Sequence, residues 1–206
     1  MTRVVPVDAR TPTSAALTDA VAALRAGRLV AFPTETFYGL GVAALTPAAI
    51  RTIFQVKGRP DDKPLLVLVD SIAMAERLAA EIPERARALM TRHWPGALTL
   101  VLTARAHVPV EVTAGSGTVG VRLSAHPVAQ ALVRALGQPI TAPSANPTGQ
   151  LPPTTIREVL AYFPSGIEVA LDAGATPGGA PSTVLDVTVD PPRVLRAGAV
   201  QVATCA

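Results

Sequence analysis

The stretch Leu29-Val30-Ala31-Phe32-Pro33-Thr34-Glu35-Thr36-Phe37-Tyr38-Gly39-Leu40-Gly41 joins a short apolar run to a polar segment that ends in two glycines. The apolar run has the length of a buried strand, and it lies between two segments with helical periodicity. The polar part places hydroxyls and a carboxylate where that strand ends, which is where α/β proteins bind ligands. A plain polar turn, in which the glycines serve only to reverse the chain, explains the same residues equally well.

Strand and helix patterns alternate along the rest of the chain. The predicted strands are Val4–Val7, Leu29–Phe32, Leu65–Val69, Leu98–Thr103, Val119–Leu123, Ile140–Ala142, Glu168–Leu171, Thr183–Val187 and Val194–Arg196. Helices are predicted to begin near Ser14, Pro47, Ser71, Glu84, Pro127 and Thr155. This interleaving predicts the α/β class, and strands that are apolar on both faces indicate a covered sheet. Since no repeat or composition shift marks a boundary, we expect one domain over residues 1–206, with its core at about 14–198.

The composition provides ample material for an aliphatic core, because 49% of the 206 residues are hydrophobic and 3% are aromatic. Residues 1–13 lack the apolar stretch of a signal peptide, and the longest apolar run, Ala97–Leu102, is too short to span a membrane. The single Cys205 cannot form an intramolecular disulfide. We therefore expect a soluble, cytoplasmic protein that does not associate with membranes.

Common metal and nucleotide motifs are absent from the sequence. His93, His107 and His126 do not have the spacing of metal ligands, and no cysteine accompanies them. There is no P-loop, no G-x-S-x-G and no dinucleotide fingerprint. We expect no metal site built from protein side chains. Any phosphate site would differ from a P-loop and from a dinucleotide-binding loop.

The segment Lys57-Gly58-Arg59-Pro60-Asp61-Asp62-Lys63 contains both lysines of a chain that otherwise uses arginine for its positive charges. Gly58 and Pro60 restrict the backbone on either side of Arg59. Because the preceding helix points its negative C-terminal end at this segment, any phosphate would be bound by the side chains. The alternative is a solvated basic turn that its two aspartates balance.

Other segments place polar groups beside predicted strands. Ser144 and Asn146 could present a hydroxyl and an amide to one ligand, although turn formation is the commoner use of such residues. Arg122 interrupts an apolar strand, and a buried charge needs a partner. That partner would be a bound carboxylate or phosphate, or an acidic side chain of the protein. Ser182 and Arg196 are further polar residues beside predicted strands, and they indicate a binding site more weakly.

In this order, the segments resemble the YrdC-like family, the threonylcarbamoyl-adenylate synthases, over roughly Ala16 to Gly198. The matching motifs are PTET-YGLG at Pro33–Gly41, KGRP-x-x-KPL at Lys57–Leu65, WPG at Trp94–Gly96, VRL at Val121–Leu123, SAN-x-TG at Ser144–Gly149, and the Ser182-Thr183 and Leu195-Arg196 elements. Any one of these motifs could occur by chance, but their combination in register is specific.

The resemblance implies a twisted, mostly mixed, open α/β sheet with a large, positively lined concave cavity. It also implies a nucleotidyltransferase that makes L-threonylcarbamoyl-AMP and pyrophosphate from L-threonine, bicarbonate and ATP for the threonylcarbamoyladenosine modification of tRNA. Threonine would be held by Thr34, Arg122 and Ser182. ATP would be held by Arg59, Lys63, Thr118, Ser144, Asn146 and Arg196. The residues expected to be catalytic are Lys57 and Arg59.

Further expectations concern the cofactor and the partners that the resemblance implies. Mg²⁺ would arrive with ATP, and the adenylate would pass to a tRNA-modifying transferase complex. The same basic cavity would also suit weak binding of tRNA or double-stranded RNA. The chain departs from the family pattern at Leu68, where many members have histidine, and at Pro152, near which a serine is often found.

Two other functions fit parts of the sequence. A non-catalytic RNA-binding module would use the same basic cavity, but single-strand readers usually stack bases on aromatic side chains, and only seven aromatic residues exist in this chain. A carbamoyl-transfer domain would share the fold. In hydrogenase-maturation proteins that domain accompanies acylphosphatase-like and cysteine-rich zinc segments, which are absent from this sequence.

Overall fold

The computed structural model describes residues 1–58, 60 and 62–202. Within these residues, ten strands alternate with seven helices. The strands are β1 (Arg3–Pro6), β2 (Val30–Pro33), β3 (Tyr38–Gly41), β4 (Leu66–Leu68), β5 (Leu98–Thr103), β6 (Thr118–Arg122), β7 (Ile140–Thr141), β8 (Val169–Asp172), β9 (Thr183–Asp186) and β10 (Arg193–Arg196). The helices are α1 (Ser14–Arg25), α2 (Pro47–Lys57), α3 (Ile72–Leu78), α4 (Glu84–His93), α5 (Val110–Thr113), α6 (Pro127–Leu136) and α7 (Ile156–Tyr162). The predicted α/β class is confirmed.

The strands form two mixed sheets. One has four strands in the order β1-β8-β2-β3, and the other has six in the order β10-β9-β5-β6-β4-β7. In the larger sheet, β4 runs parallel to β6 and β5 runs parallel to β9, whereas the other pairs are antiparallel. In the smaller sheet, β8 runs parallel to β1 and β2, and β3 runs antiparallel to β2, so the mixed character that the resemblance implies is present in both sheets.

Backbone hydrogen bonds join the two sheets along a seam between β3 and β7. Leu40 N donates to Pro143 O at 2.9 Å, and Thr141 N donates to Val42 O at 3.0 Å. Antiparallel bridges connect Gly39 with Ser144 and Ala43 with Ile140. The expected single sheet is thus divided in two, but the two parts are held edge to edge.

Local sequence signals explain where the helices begin and end. Thr13 and Ser71 accept hydrogen bonds from the first turns of α1 and α3, as N-caps do. A capping box formed by Thr155 and Glu158 begins α7. Gly137 ends α6 in the left-handed conformation, with φ at 75°. These capping residues pair backbone groups that the helix ends would otherwise leave without a partner.

The core is aliphatic, as the composition predicts. Helices α1 and α6 pack on each other and on β2 and β8. Leu24 and Leu132 are fully buried between these layers. None of the helices in the described part of the chain has the length and apolar character that a membrane span requires.

The structure differs from the prediction at Tyr38–Gly41, which forms β3 rather than a turn. Its glycines permit this close pairing, because a Cβ on Gly41 would lie 2.7 Å from Phe32 Cε1. Strand β3 pairs with β2 on one side and borders β7 on the other. The PTET segment is therefore a tight hairpin connection between two buried strands, placed beside the seam.

Candidate functional site

A cavity of about 420 Å³ opens at the seam between the two sheets. Its wall is formed by elements of both sheets: the β2–β3 connection, strands β5 and β6, the residues after β7, and strands β9 and β10. Six predicted site residues line it together: Thr34, Thr118, Arg122, Ser144, Ser182 and Arg196. The topology thus brings to one place residues that are up to 162 positions apart in the sequence (196 − 34).

The remaining predicted site residues occupy different positions. Lys57 and Asn146 are buried beside the cavity rather than on its surface. Lys63 is exposed next to Pro64, which lines the cavity. Arg59 lies outside the described residues. The two lysines of the basic segment therefore occupy different environments.

Arg122 ends β6 and is only 3% exposed. Its buried side-chain Nε has no hydrogen-bond partner among the described residues and lies 3.7 Å from Glu35 Oε1. Burial lowers the pKa of Arg122, and the Glu35 carboxylate acts in the opposite direction. Arginine keeps its charge in proteins, so the side chain is a buried cation. Its guanidinium N–H groups can donate hydrogen bonds to an anion in the cavity.

Arg196 and Ser182 form a second polar wall. Arg196 Nε and Nη2 donate to Ser182 O at 3.0 and 2.8 Å, and Nη2 also donates to Ser182 Oγ at 2.9 Å. Ser182 Oγ also lies 3.0 Å from the hydroxyl of Thr99. Burial lowers the pKa of Arg196, and the positive charge of Arg122 lowers it further. Two guanidiniums thus influence each other across one cavity, which favours a ligand with negative charge.

Lys57 anchors the loop after β7. Its buried Nζ donates to Ser144 O at 2.5 Å and to Asn146 O. The side-chain amide of Asn146 donates to Pro147 O at 3.0 Å and to Gln150 O at 2.7 Å. Both side chains are used to shape the loop that presents Ser144 to the cavity.

The hydroxyl of Thr34 shapes the β2–β3 connection. It donates to Phe37 O at 2.7 Å and accepts from Thr36 N and Phe37 N at 3.2 and 3.3 Å. This is the turn-forming role that competes with ligand binding for such a residue. The nearby Thr36 hydroxyl, 3.1 Å away, also lines the cavity.

The sequence does not identify Thr99 or Tyr38 as site residues, and it does not identify Glu35, the carboxylate of the β2–β3 connection, as the neighbour of Arg122. Thr99 supports Ser182 from the middle of an apolar strand, where threonine is a common residue and gives no signal. Tyr38 lines the cavity, donates from its hydroxyl to Gly174 O at 2.7 Å, and has its pKa raised by burial to about 12. Glu35 lies beside Arg122. The one sequence signal for this pair is the charge of Arg122 inside an apolar strand, because a buried charge needs a partner and an acidic side chain is one of the two partners that the sequence leaves open.

Gly198 allows the C-terminal segment to pack against Ser182. A Cβ at this position would lie 2.2 Å from Pro181 O and 2.6 Å from Thr183 N. We expect Gly198→Ala to force the segments apart and to destabilise the protein by about 1–3 kcal/mol. Thermal unfolding followed by circular dichroism measures the change. Ala197→Ser, which adds one atom at an exposed neighbouring position, is the control, and equal melting temperatures for both variants would contradict the prediction.

The sequence of the chain matches a known family. A family model described as "Telomere recombination", named for Sua5, YciO and YrdC, matches residues 22–198. The chain belongs to this family. Its matched region contains the cavity-lining residues named above.

Relatives in the Sua5–YciO–YrdC family include named enzymes. The chain is 49% identical over 175 residues to the threonylcarbamoyl-AMP synthase of Pyrococcus abyssi, covering 85% of this chain and 52% of that protein. It is 44% identical over 185 residues to the threonylcarbamoyl-AMP synthase of Bacillus subtilis, covering 89% and 54%. The chain therefore spans about half the length of these curated relatives.

A solved structure of the family has the same fold. The crystal structure of Pyrococcus abyssi Sua5 in complex with L-threonine superposes with a TM-score of 0.92 at 45% sequence identity. The match covers 96% of this chain and 58% of that one. The fold of this chain is thus shared with a solved member of the family.

Proposed function

We propose that this protein is an L-threonylcarbamoyladenylate synthase, which makes threonylcarbamoyl-AMP and pyrophosphate from L-threonine, bicarbonate and ATP. The observation that carries the proposal is the single cavity in which Arg122, Arg196 and the Ser182 hydroxyl come together. Its relatives with 49% and 44% identity bear this enzyme's name, and a family structure was solved with L-threonine.

Threonine would enter with its carboxylate towards Arg122. The guanidinium is buried and its Nε has no hydrogen-bond partner among the described residues, so a carboxylate would supply the charge and the acceptors that it needs. Ser182 lines the same cavity and offers a hydroxyl. Thr34 shapes the adjoining turn, and we place the hydroxyl and methyl group of the substrate against this turn.

ATP would occupy the side of the cavity that Pro64 lines, next to Lys63. Lys63 and Arg59 would approach the phosphates from the basic segment, while Thr118, Ser144 and Arg196 would contact the nucleotide from the cavity wall. Asn146 would act through the loop that carries Ser144, because its amide is bonded to that loop. Lys57 would support the same loop from beneath.

The reaction needs positioning and charge more than a protein nucleophile. The threonine amine attacks the carbon of bicarbonate-derived CO₂ and loses a proton, which gives an N-carboxy group. A carboxylate oxygen of this group then attacks the α-phosphorus, and the bond between that phosphorus and the bridging oxygen of pyrophosphate breaks. Because two anions must meet, fixed cations lower the barrier by being in place beforehand.

Mg²⁺ would enter on the phosphates of ATP, as it does in many phosphoryl-transfer sites. Within the described residues, no group of three acidic, histidine or cysteine side chains is close enough together to hold a metal ion. The adenylate would be consumed by a transferase complex that modifies tRNA. We place the protein in the cytoplasm on this basis.

Calorimetry with L-threonine tests the proposal most directly. We expect L-threonine to bind. We expect L-serine, which lacks one methyl group, to bind with a dissociation constant that is higher by a factor of about ten or more. With ATP present, pyrophosphate release should require both threonine and bicarbonate. Absence of threonine binding together with absence of threonine-dependent pyrophosphate release would exclude this function, whereas tight RNA binding without threonine affinity would favour an RNA-binding module.

A further inference from the structure

Glu35 lies beside Arg122 and, unlike Arg122, is not one of the residues that line the cavity. Its carboxylate comes from the β2–β3 connection, whereas Arg122 ends β6 in the other sheet. The Glu35 side chain is 17% exposed and that of Arg122 is 4% exposed. The two opposite charges therefore lie close together between the two sheets, where water screens their interaction little.

The contact between these side chains is incomplete. Arg122 Nε and Glu35 Oε1 are 3.7 Å apart, and within the described part of the chain both atoms are buried without a hydrogen-bond partner. The second carboxylate oxygen, Oε2, accepts a hydrogen bond from Ser124 Oγ. Ser124 Oγ in turn accepts from His126 N at 3.2 Å, at the beginning of α6. Glu35 is thus held in place by Ser124, in the segment that leads into α6, while its Oε1 lies near Arg122.

We propose that Glu35 is a positioning residue for substrate binding, which fixes the Arg122 guanidinium so that its two terminal nitrogens face the cavity. This inference rests on the proposed function, because it assigns a role in holding the carboxylate of threonine. A carboxylate on the cavity side and Glu35 on the other side would hold the guanidinium plane between two anions. When the substrate binds, the 3.7 Å contact closes to a hydrogen bond.

The alternative is that Glu35 is only a nearby negative charge, and the two roles have opposite consequences. A carboxylate that merely lies close would repel the carboxylate of threonine, so removing its charge would tighten binding. A carboxylate that orients the guanidinium strengthens binding, so removing its charge would weaken it. The sign of the change in threonine affinity therefore separates the two.

The test is Glu35→Gln, which keeps the size of the side chain and an oxygen for Ser124 but removes the charge. We expect the dissociation constant for L-threonine, measured by calorimetry, to rise about tenfold, as for the loss of one hydrogen bond between charged groups. The KM for threonine should rise by the same factor, while the affinity for ATP and the kcat at saturating threonine change less than about twofold. Glu35→Asp, which keeps the charge, should recover part of the affinity. Glu111→Gln, which breaks the more exposed Arg51–Glu111 pair, is the matched control.

Unchanged or tighter threonine binding by a folded Glu35→Gln protein would overturn the proposal, and so would a fall in kcat without a change in KM. If Glu35→Gln does not fold, Ser124→Ala removes only the hydroxyl that holds Oε2 and should weaken threonine binding in the same direction. Unchanged binding in that variant would equally overturn it. Failure of the wild-type protein to bind threonine would instead count against the proposed function.

Discussion

Replacing Arg122 with methionine is expected to weaken threonine binding strongly. The substitution removes the guanidinium that would pair with the substrate carboxylate, and methionine fills a similar volume without offering a donor. Loss of a two-pronged, charge-assisted contact should weaken binding by about a hundredfold or more. Calorimetry with L-threonine measures the affinity directly, and pyrophosphate release at high ATP reports the corresponding loss of turnover.

Two further variants make this result specific to the site. Arg193→Met removes a guanidinium from β10, where it pairs at 3.6 Å with Asp186 at an exposed position, and we expect its threonine affinity to match that of the wild type. Arg122→Lys keeps the charge but not the planar fork, so it should bind more weakly than wild type and more tightly than Arg122→Met. Wild-type affinity in a folded Arg122→Met protein would show that the substrate carboxylate binds elsewhere.

Much of the fold could be predicted because it depends on local patterns. Apolar runs gave the cores of most strands, and capping residues such as Ser71 and Gly137 gave the helix ends. Strand β3 was missed because two of its four residues are glycines, which are rare in strands. Its pairing depends on the close approach of Phe32 and of the residues after β7, and a sequence read segment by segment does not contain such distant contacts.

The sequence predicts those residues of the candidate site whose type is unusual for the secondary-structure element that contains them. Arg122 was noticed because a charge inside an apolar strand is costly, and it does line the cavity. The sequence indicates its neighbour Glu35 only as a carboxylate at a strand end, in a segment that a polar turn also explains, because nothing in the sequence shows that the β2–β3 connection lies next to Arg122. Lys57 was predicted to meet phosphate because of its two basic neighbours in the sequence, whereas its contacts in the fold are set by the loop that packs over it.

Replacing Lys57 with methionine is expected to lower both stability and turnover. The change would leave the carbonyl oxygens of Ser144 and Asn146 without the ammonium that now donates to them, at a cost of about 1–3 kcal/mol for each buried acceptor. The loop would shift, and a displacement of about 1 Å at a reacting group can lower kcat about a hundredfold. Thermal unfolding measures the first effect, and pyrophosphate release at saturating substrates measures the second.

The combination of effects distinguishes loop support from direct contact with phosphate. If Lys57 supports the loop, Lys57→Met lowers the melting temperature and kcat together, because one displaced loop causes both. Lys63, which is exposed, provides the contrast: Lys63→Met should weaken ATP binding and leave the melting temperature unchanged. Arg51→Met, at an exposed position on the same helix as Lys57, is the control for removing a positive charge from α2. A Lys57→Met protein with unchanged stability and a loss confined to ATP affinity would assign Lys57 to the phosphates instead.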